Sequence, residues 1–167
     1  MTERIDLDDA FHRLSSALPE GLELLELGEL ERRGTSLMEA VTSCEWEILL
    51  DAPDIEPVQA SVDALLAADR VIVTRERKGK PVHDDIRPDL RSLKVLMNPE
   101  TATSTILAEL GTEARSLRPA EFLAALEPPV RVTRVRRTHQ WISHGNTRIE
   151  PHEAVASRAA HTNRCAS

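Results

Sequence analysis

The chain has 167 residues, which fits one ordinary domain or two very small ones and is long enough to bury a core. Its formal net charge of −7 is unevenly divided: residues 1–69 hold 17 acidic side chains against 4 arginines, and the rest of the chain is basic. This division argues against attraction of the whole molecule to nucleic acid but allows a local basic surface. No apolar stretch approaches the roughly 20 residues of a membrane helix, and the N-terminus is charged where a signal peptide would be apolar. We therefore expect a cytoplasmic protein without membrane contact.

The first predicted elements are a helix from Ile5 to Leu18 and a strand from Leu22 to Leu27. A short helical turn is expected from Ser36 to Val41, with Ser36 as its N-cap. A single helix and strand must pack against other elements to be stable. Residues 1–30 are therefore interpreted as the closing helix and strand of a preceding unit.

Residues 43–142 show the order strand, helix, strand, strand, helix, strand. Alternation in residues 43–51 predicts the first strand, with Cys44 and Trp46 on its buried face. This split βαβ order is typical of an α+β ferredoxin-like sandwich (βαββαβ), which we expect over residues 41–142. After about Ser143 the pattern is lost. Residues 143–167 are predicted to be a disordered tail, in which Ala154 to Ala160 could form a short helix.

The strand predicted at residues 71–77 is followed by a cationic turn, Gly79-Lys80-Pro81. A strand that leads into such a turn can present positive charge to a phosphate backbone. The last predicted strand is also rich in arginine and contributes to the same hypothesis. The candidate RNA-binding residues are Arg75, Arg77, Lys78, Lys80, Arg87, Arg134 and Arg136. The alternative is that these cations are solvated edge charges that prevent aggregation. The RNA hypothesis requires that the two groups lie on neighbouring strands and form one cationic surface.

The group His83, Asp84, Asp85 and Arg87 allows a different interpretation. A histidine beside carboxylates can act as a general base, so His83 and Asp85 form a candidate acid/base pair. The plainer alternative is a structural ion pair of Asp85 with Arg87 before Pro88. The remaining histidines and the two cysteines, Cys44 and Cys165, have no metal-ligand spacing, so no metal or cofactor is predicted.

Aromatic residues are too few for the usual RNA-stacking sheet, which needs aromatic side chains at strand centres. The chain has two Trp, two Phe and no Tyr. Trp46 is predicted to be a core residue. Trp141 is the one aromatic side chain with a position suited to stacking on a base.

Five segments carry a resemblance to a known family: FHRLSSALPEGLELLE, SLMEAVTSCEWEILL, VTRERKGKPVHDDIRPDLRSLKV, RSLRPAEFLAAL and RVTRVRRTHQWI. In this order they resemble bacterial radical-SAM-linked or radical-SAM-associated proteins, which are built on a domain of unknown function. The resemblance covers roughly residues 3–142. It implies association with a radical SAM protein and a role in RNA metabolism. The chain lacks the basic half with which such proteins begin, so we expect a shortened form, and it lacks the CxxxCxxC cluster motif of the enzyme itself.

Two functions follow as expectations. The first is a non-catalytic RNA-binding or accessory domain that partners a radical SAM enzyme in RNA modification or processing. The alternative is an RNA-processing or RNA-modifying enzyme that uses His83 and Asp85.

Overall fold

The computed structural model describes residues 5–28, 35–52, 54–98, 103–113 and 116–153. The helices are α1 (Leu7–Ala17), α2 (Leu37–Ala40), α3 (Glu56–Ala67) and α4 (Pro119–Leu123), and a short 3₁₀ turn covers Arg87–Asp89. The strands are β1 (Ser43–Leu50), β2 (Ile72–Arg77), β3 (Lys80–Asp85), β4 (Leu90–Asn98), β5 (Thr103–Gly111), β6 (Val132–His144) and β7 (Thr147–Ile149). Within these residues, no helix is both long and apolar enough to cross a membrane.

The strands form two separate sheets. Five of them make an antiparallel sheet in the order β4-β5-β1-β6-β7, and β2 pairs with β3 in a two-stranded sheet of its own. The central strand is β1, which pairs with β5 along one edge and with β6 along the other. The chain is therefore a mixed α+β protein, as predicted.

Local sequence explains where the helices begin. The side chain of Asp6 caps α1 by accepting the backbone N–H groups of Asp8 and Asp9. Pro57 occupies the first turn of α3, where its missing N–H group has no helical partner to lose. The side chain of Glu121 accepts the N–H of Arg118 at 2.8 Å and so closes the start of α4.

The main hydrophobic core lies on one side of the large sheet. Ile48 and Leu50 of β1 and Ile106 of β5 are fully buried against α3 and Phe122. The hairpin of β2 and β3 lies on this same side, because Val71 and Val73 belong to the same core cluster. Burial of a side chain such as Phe122 contributes up to about 3 kcal/mol. The prediction that Trp46 packs with the core is confirmed.

Three predictions about secondary structure were wrong. The turn was expected at Gly79-Lys80-Pro81, but β3 begins at Lys80, because positive φ angles at Lys78 and Gly79 close the hairpin earlier. Residues after Ser143 were expected to be disordered, yet β7 forms through a tight turn at Gly145, which has φ 59°. The short helix expected at residues 154–160 lies outside the described residues.

The third wrong prediction concerns the strand from Leu22 to Leu27. These residues are extended but pair with no strand in the described part of the chain. Helix α1, which precedes them, has no buried residue. A strand pattern in the sequence does not form a strand without a neighbouring edge to bond, so the segment remains a single extended chain.

Candidate functional site

The tip of the β2–β3 hairpin is basic and exposed. Arg77 pairs with Lys80 across a two-residue turn, in which Lys78 and Gly79 have φ angles of 52° and 73°. Two positive φ angles are the geometry of a type I′ turn, whose twist matches that of the flanking strands. Lys78 and Lys80 are exposed and form no ion pair in the part of the chain that the structure describes. The side chain of Arg77 lies outside the described part.

Arg75 lies on β2, two residues before Arg77, and its side chain faces the protein instead of solvent. Its guanidinium donates to Glu121 of α4 at 2.6 Å and lies 4.0 Å from Asp84. Only 12% of the Arg75 side chain is exposed, so water screens these contacts little. Arg75 joins the hairpin to α4, and its charge is already balanced by carboxylates.

Arg87 closes the carboxyl end of α3. Its guanidinium donates to the backbone carbonyl groups of Leu66 at 2.7 Å, Ala68 at 3.0 Å and Leu90 at 3.3 Å. The last carbonyl groups of a helix have no partner within the helix, and a cation there also interacts favourably with the helix dipole. Arg87 therefore connects α3 to the start of β4.

Asp85 organises the backbone at the base of the hairpin. Its Oδ1 accepts the N–H groups of Val71 at 2.9 Å and Arg87 at 3.1 Å, and its Oδ2 accepts the Nε of Arg70 at 3.2 Å. The bonds from Val71 and Arg87 hold the pKa of the Asp85 carboxyl below its ordinary value of 3.8. The contact with Arg87 thus goes through the Arg87 backbone, while the guanidinium turns to α3.

His83 is exposed and its Nδ1 lies 3.1 Å from the hydroxyl of Thr74 on the paired strand. Both carboxylate oxygens of Asp85 are engaged by other donors. The acid/base role of His83 and Asp85 stays a prediction, and the contacts that Asp85 makes are those of a structural carboxylate.

Arg134 and Arg136 lie on β6, in the other sheet. Each donates to one carboxylate oxygen of Glu47 on β1, both at 3.2 Å. Their side chains remain 62% and 60% exposed. The expectation that they lie on a strand next to the basic hairpin is wrong, because β2 and β3 share no hydrogen-bonded edge with β6. The hairpin packs on the core side of the sheet, so the two groups do not form one continuous row of cations.

The face of the large sheet turned away from the main core carries a compact charged network. Glu45 of β1 lies directly opposite Glu109 of β5, an arrangement that repulsion between like charges disfavours. Arg148 of β7 balances both carboxylates, at 3.2 Å from Glu45 and 3.3 Å from Glu109. Ser43 donates a hydrogen bond to Glu109 at 2.8 Å, which completes the pairing.

Trp141 is part of this network. Its indole N–H donates to Glu45 at 2.9 Å, His139 stacks on the ring at 5.3 Å, and the Arg148 guanidinium lies 4.4 Å from the ring centroid. His139 also lies between Glu45, at 3.3 Å, and Glu150, at 3.7 Å. The ring therefore contacts protein groups that hold it in place, whereas the sequence suggested a role in base stacking.

Sequence reasoning missed the convergence of Glu45, Glu109 and Arg148. The three residues are far apart in the chain, and only the pairing of β1 with β5 and the turn into β7 bring them together. Alternation in residues 43–51 correctly placed Glu45 and Glu47 on the face opposite Cys44 and Trp46. This alternation does not indicate which strands pair with β1 on either side.

The described residues contain no group of three or more His, Cys, Asp and Glu side chains that could hold a metal ion. Cys44 is a free cysteine in a small second cluster with Val41 and Ile142, and burial raises the pKa of its thiol. A higher thiol pKa means less thiolate at neutral pH, so Cys44 is not an activated nucleophile.

The model of a family described as an uncharacterized protein conserved in bacteria, DUF2344, matches residues 1–119. No curated protein and no solved structure matches the chain.

Proposed function

The chain belongs to the bacterial family DUF2344, and we propose that it is a non-catalytic RNA-binding or accessory domain whose basic hairpin contacts phosphate groups. The observation that carries this proposal is the exposure of Lys78 and Lys80 at the hairpin tip, without an ion-pair partner in the described residues. A lysine whose charge is not balanced by a neighbour is available to displace the counterions of a nucleic acid.

The other candidate cations differ in what they can contribute. Arg75 and Arg87 are committed to Glu121 and to backbone carbonyl groups, so they support the hairpin and its attachment. Arg134 and Arg136 are exposed, but they share the carboxylate of Glu47. The phosphate contacts therefore concentrate at Lys78 and Lys80, with Arg77 beside them in the sequence.

The net charge of −7 determines the kind of binding to expect. An acidic molecule with a local basic tip is repelled from nucleic acid except where the tip meets a phosphate, so affinity is modest and strongly dependent on salt. Such a domain needs a partner that binds the same RNA. A radical SAM protein that modifies RNA is the partner implied by the resemblance in the sequence.

We also assign the α+β unit to a ferredoxin-like arrangement. In chain order, β1, α3, β4, β5, α4 and β6 follow the pattern βαββαβ, and their order in the sheet is β4-β5-β1-β6. The β2–β3 hairpin is then an insertion between α3 and β4, and β7 is an addition at the edge. An inserted hairpin that carries exposed charge is a reasonable place for a binding function on a common scaffold.

The test is a salt series of binding to a labelled single-stranded RNA. The variant Lys78→Gln/Lys80→Gln should bind more weakly, and the slope of log affinity against log salt should fall by about 1.4, which corresponds to two lost phosphate contacts. The matched control is Arg13→Gln/Lys94→Gln, which removes two exposed cations elsewhere and should keep the slope of the wild type.

Three outcomes contradict the proposal. The wild type could fail to bind at low salt, the hairpin variant could keep the full slope, or the control could lose as much as the hairpin variant, which would reduce the effect to net charge. RNA turnover by the wild type that disappears in His83→Ala would favour the enzyme instead.

A further inference from the structure

The extended segment Leu22–Leu27 has the chemistry of a strand but no strand partner among the described residues. Leu22 and Leu25 are 63% and 83% exposed, which is unusual for leucines in an ordered segment. The segment also contains Glu23 and Glu26, and Glu20 precedes it. It is an extended segment with acidic and apolar side chains, and its backbone hydrogen-bonding groups lack a partner strand among the described residues.

Strand β6 has the complementary property. One edge of β6 pairs with β1, but β7 covers only Ile142–His144 of its other edge. From Val132 to Trp141 this outer edge has no backbone partner in the described part of the chain. Val132 and Val135 are exposed there. The edge is basic, because it carries Arg134, Arg136 and Arg137.

We propose that the segment Leu22–Leu27 of one copy of this chain adds as a strand to the free edge of β6 in a second copy, and that the two copies exchange these segments in a dimer. Strand addition satisfies the backbone groups of both partners at once. A two-fold exchange uses the same pair of surfaces twice and leaves no open end for further growth.

The charges of the two surfaces favour pairing of this segment with β6. Glu23 and Glu26 project to opposite faces of an extended chain, because side chains alternate along a strand. Arginines are present on both faces of β6: Arg136 contacts Glu47, and Arg137 lies 6.0 Å from the Trp46 ring on the core side. The acidic strand therefore finds arginines on either face, whereas the same segment repels a nucleic acid.

The connecting chain is long enough for exchange. Fourteen residues lie between Gly28 and Ser43, and the eight that precede α2, residues 29–36, span up to about 28 Å when extended. Helix α1 does not hold the segment against its own domain, because none of its residues is buried. The exposed leucines would become covered when the segment lies beside Val132 and Val135 of the partner copy.

The first experiment measures the mass of the full chain in solution by light scattering after size-exclusion chromatography. We expect a dimer, with twice the monomer mass of 18.6 kDa, at low salt and micromolar concentration. Leu24→Pro removes a backbone donor from the segment and should give a monomer with an unchanged circular dichroism spectrum of the core. Lys78→Gln/Lys80→Gln alters charge without touching either surface and should remain dimeric.

The second experiment exchanges the charges. Glu23→Arg/Glu26→Arg and Arg134→Glu/Arg136→Glu should each be monomeric alone. An equimolar mixture should form a heterodimer, because both of its interfaces join an acidic surface to a basic one, one with native charges and one with reversed charges. Rescue in the mixture would not occur if either pair of substitutions merely unfolded the protein.

The inference is overturned by a monomeric wild type at about 100 μM, or by a dimer that persists in Leu24→Pro. A monomer in which the amides of Leu24 and Leu25 are protected from hydrogen exchange would also overturn it, because the segment would then lie on β6 of its own chain. None of these results bears on RNA binding by the hairpin.

Discussion

The basic hairpin segment and strand β6 look alike in the sequence but use their arginines in opposite ways. Two arginines of the hairpin and of the turn that follows it face the protein: Arg75 is 12% exposed and Arg87 bonds three carbonyl groups. On β6, Arg134 and Arg136 remain about 60% exposed and share one glutamate. The lysines of the hairpin tip, Lys78 and Lys80, are exposed and have no carboxylate partner in the described residues.

The difference shows that a cluster of cations in a sequence does not by itself define a basic surface. An arginine can bury its long apolar stem while its planar guanidinium satisfies several acceptors, which makes it suitable for closing a helix end. A lysine has a compact, strongly hydrated charge and stays in water. The identity of each cation therefore matters more than the number of them, and the following variants test this view.

The largest effect is expected for Arg87→Ala. Removal of the guanidinium leaves the carbonyl groups of Leu66, Ala68 and Leu90 without their donor and should lower the free energy of unfolding by about 3 kcal/mol. Chemical denaturation measures this change. Lys80→Ala, seven residues away at the tip, is the control and should stay within about 0.5 kcal/mol of the wild type. An equal loss of unfolding free energy in Arg87→Ala and Lys80→Ala would show that the two cations do not differ in their structural role.

A smaller effect is expected for Asp85→Asn, and its size should depend on pH. The folded-state pKa of Asp85 is lowered below 3.8, so the charged carboxylate stabilises the folded state above that pH, and this contribution is lost as the pH falls through the folded pKa. The midpoint of thermal unfolding should therefore be lower than that of the wild type at pH 7, and the two should converge in acid. A difference that stays constant down to pH 2 would show that the charge is not involved.

The smallest effect is expected for Arg134→Ala and Arg136→Ala. Each exposed ion pair with Glu47 contributes less than about 1 kcal/mol, and each single variant leaves Glu47 one arginine. Chemical denaturation of each variant should give a small decrease in the free energy of unfolding relative to the wild type, nearly the same at low and at high salt. A loss comparable to that of Arg87→Ala would show that β6 uses its arginines structurally, as the hairpin segment does.

The sequence predicted the helices and most strands well, because their signals are local. Alternation in residues 43–51 indicated β1, and the spacing of Val58, Val62 and Leu65 indicated α3. The wrong predictions depended on long-range pairing. Nothing in residues 22–27 reveals that no strand of the described residues lies beside them. The β7 turn required recognition of one glycine in a polar segment.

The candidate site was less predictable than the fold. The positions of Lys78 and Lys80 followed from a local turn, although the turn was placed one residue late. The inward orientation of Arg75 depends on Glu121, which lies on another element 46 residues away. The contacts of Arg87 were equally unpredictable from the sequence, because its acceptors at the end of α3 lie beside it only in the folded chain.

Because β1 is the central strand, a fragment of this chain that folds independently must include the strands on both of its sides. The family match ends at residue 119, before β6 begins. A fragment cut there would leave one whole edge of β1 open to water and would separate Glu45 and Glu109 from Arg148. The stretch shared with the family is thus smaller than the stretch that folds, and experiments on fragments of this protein need to extend through Ile149.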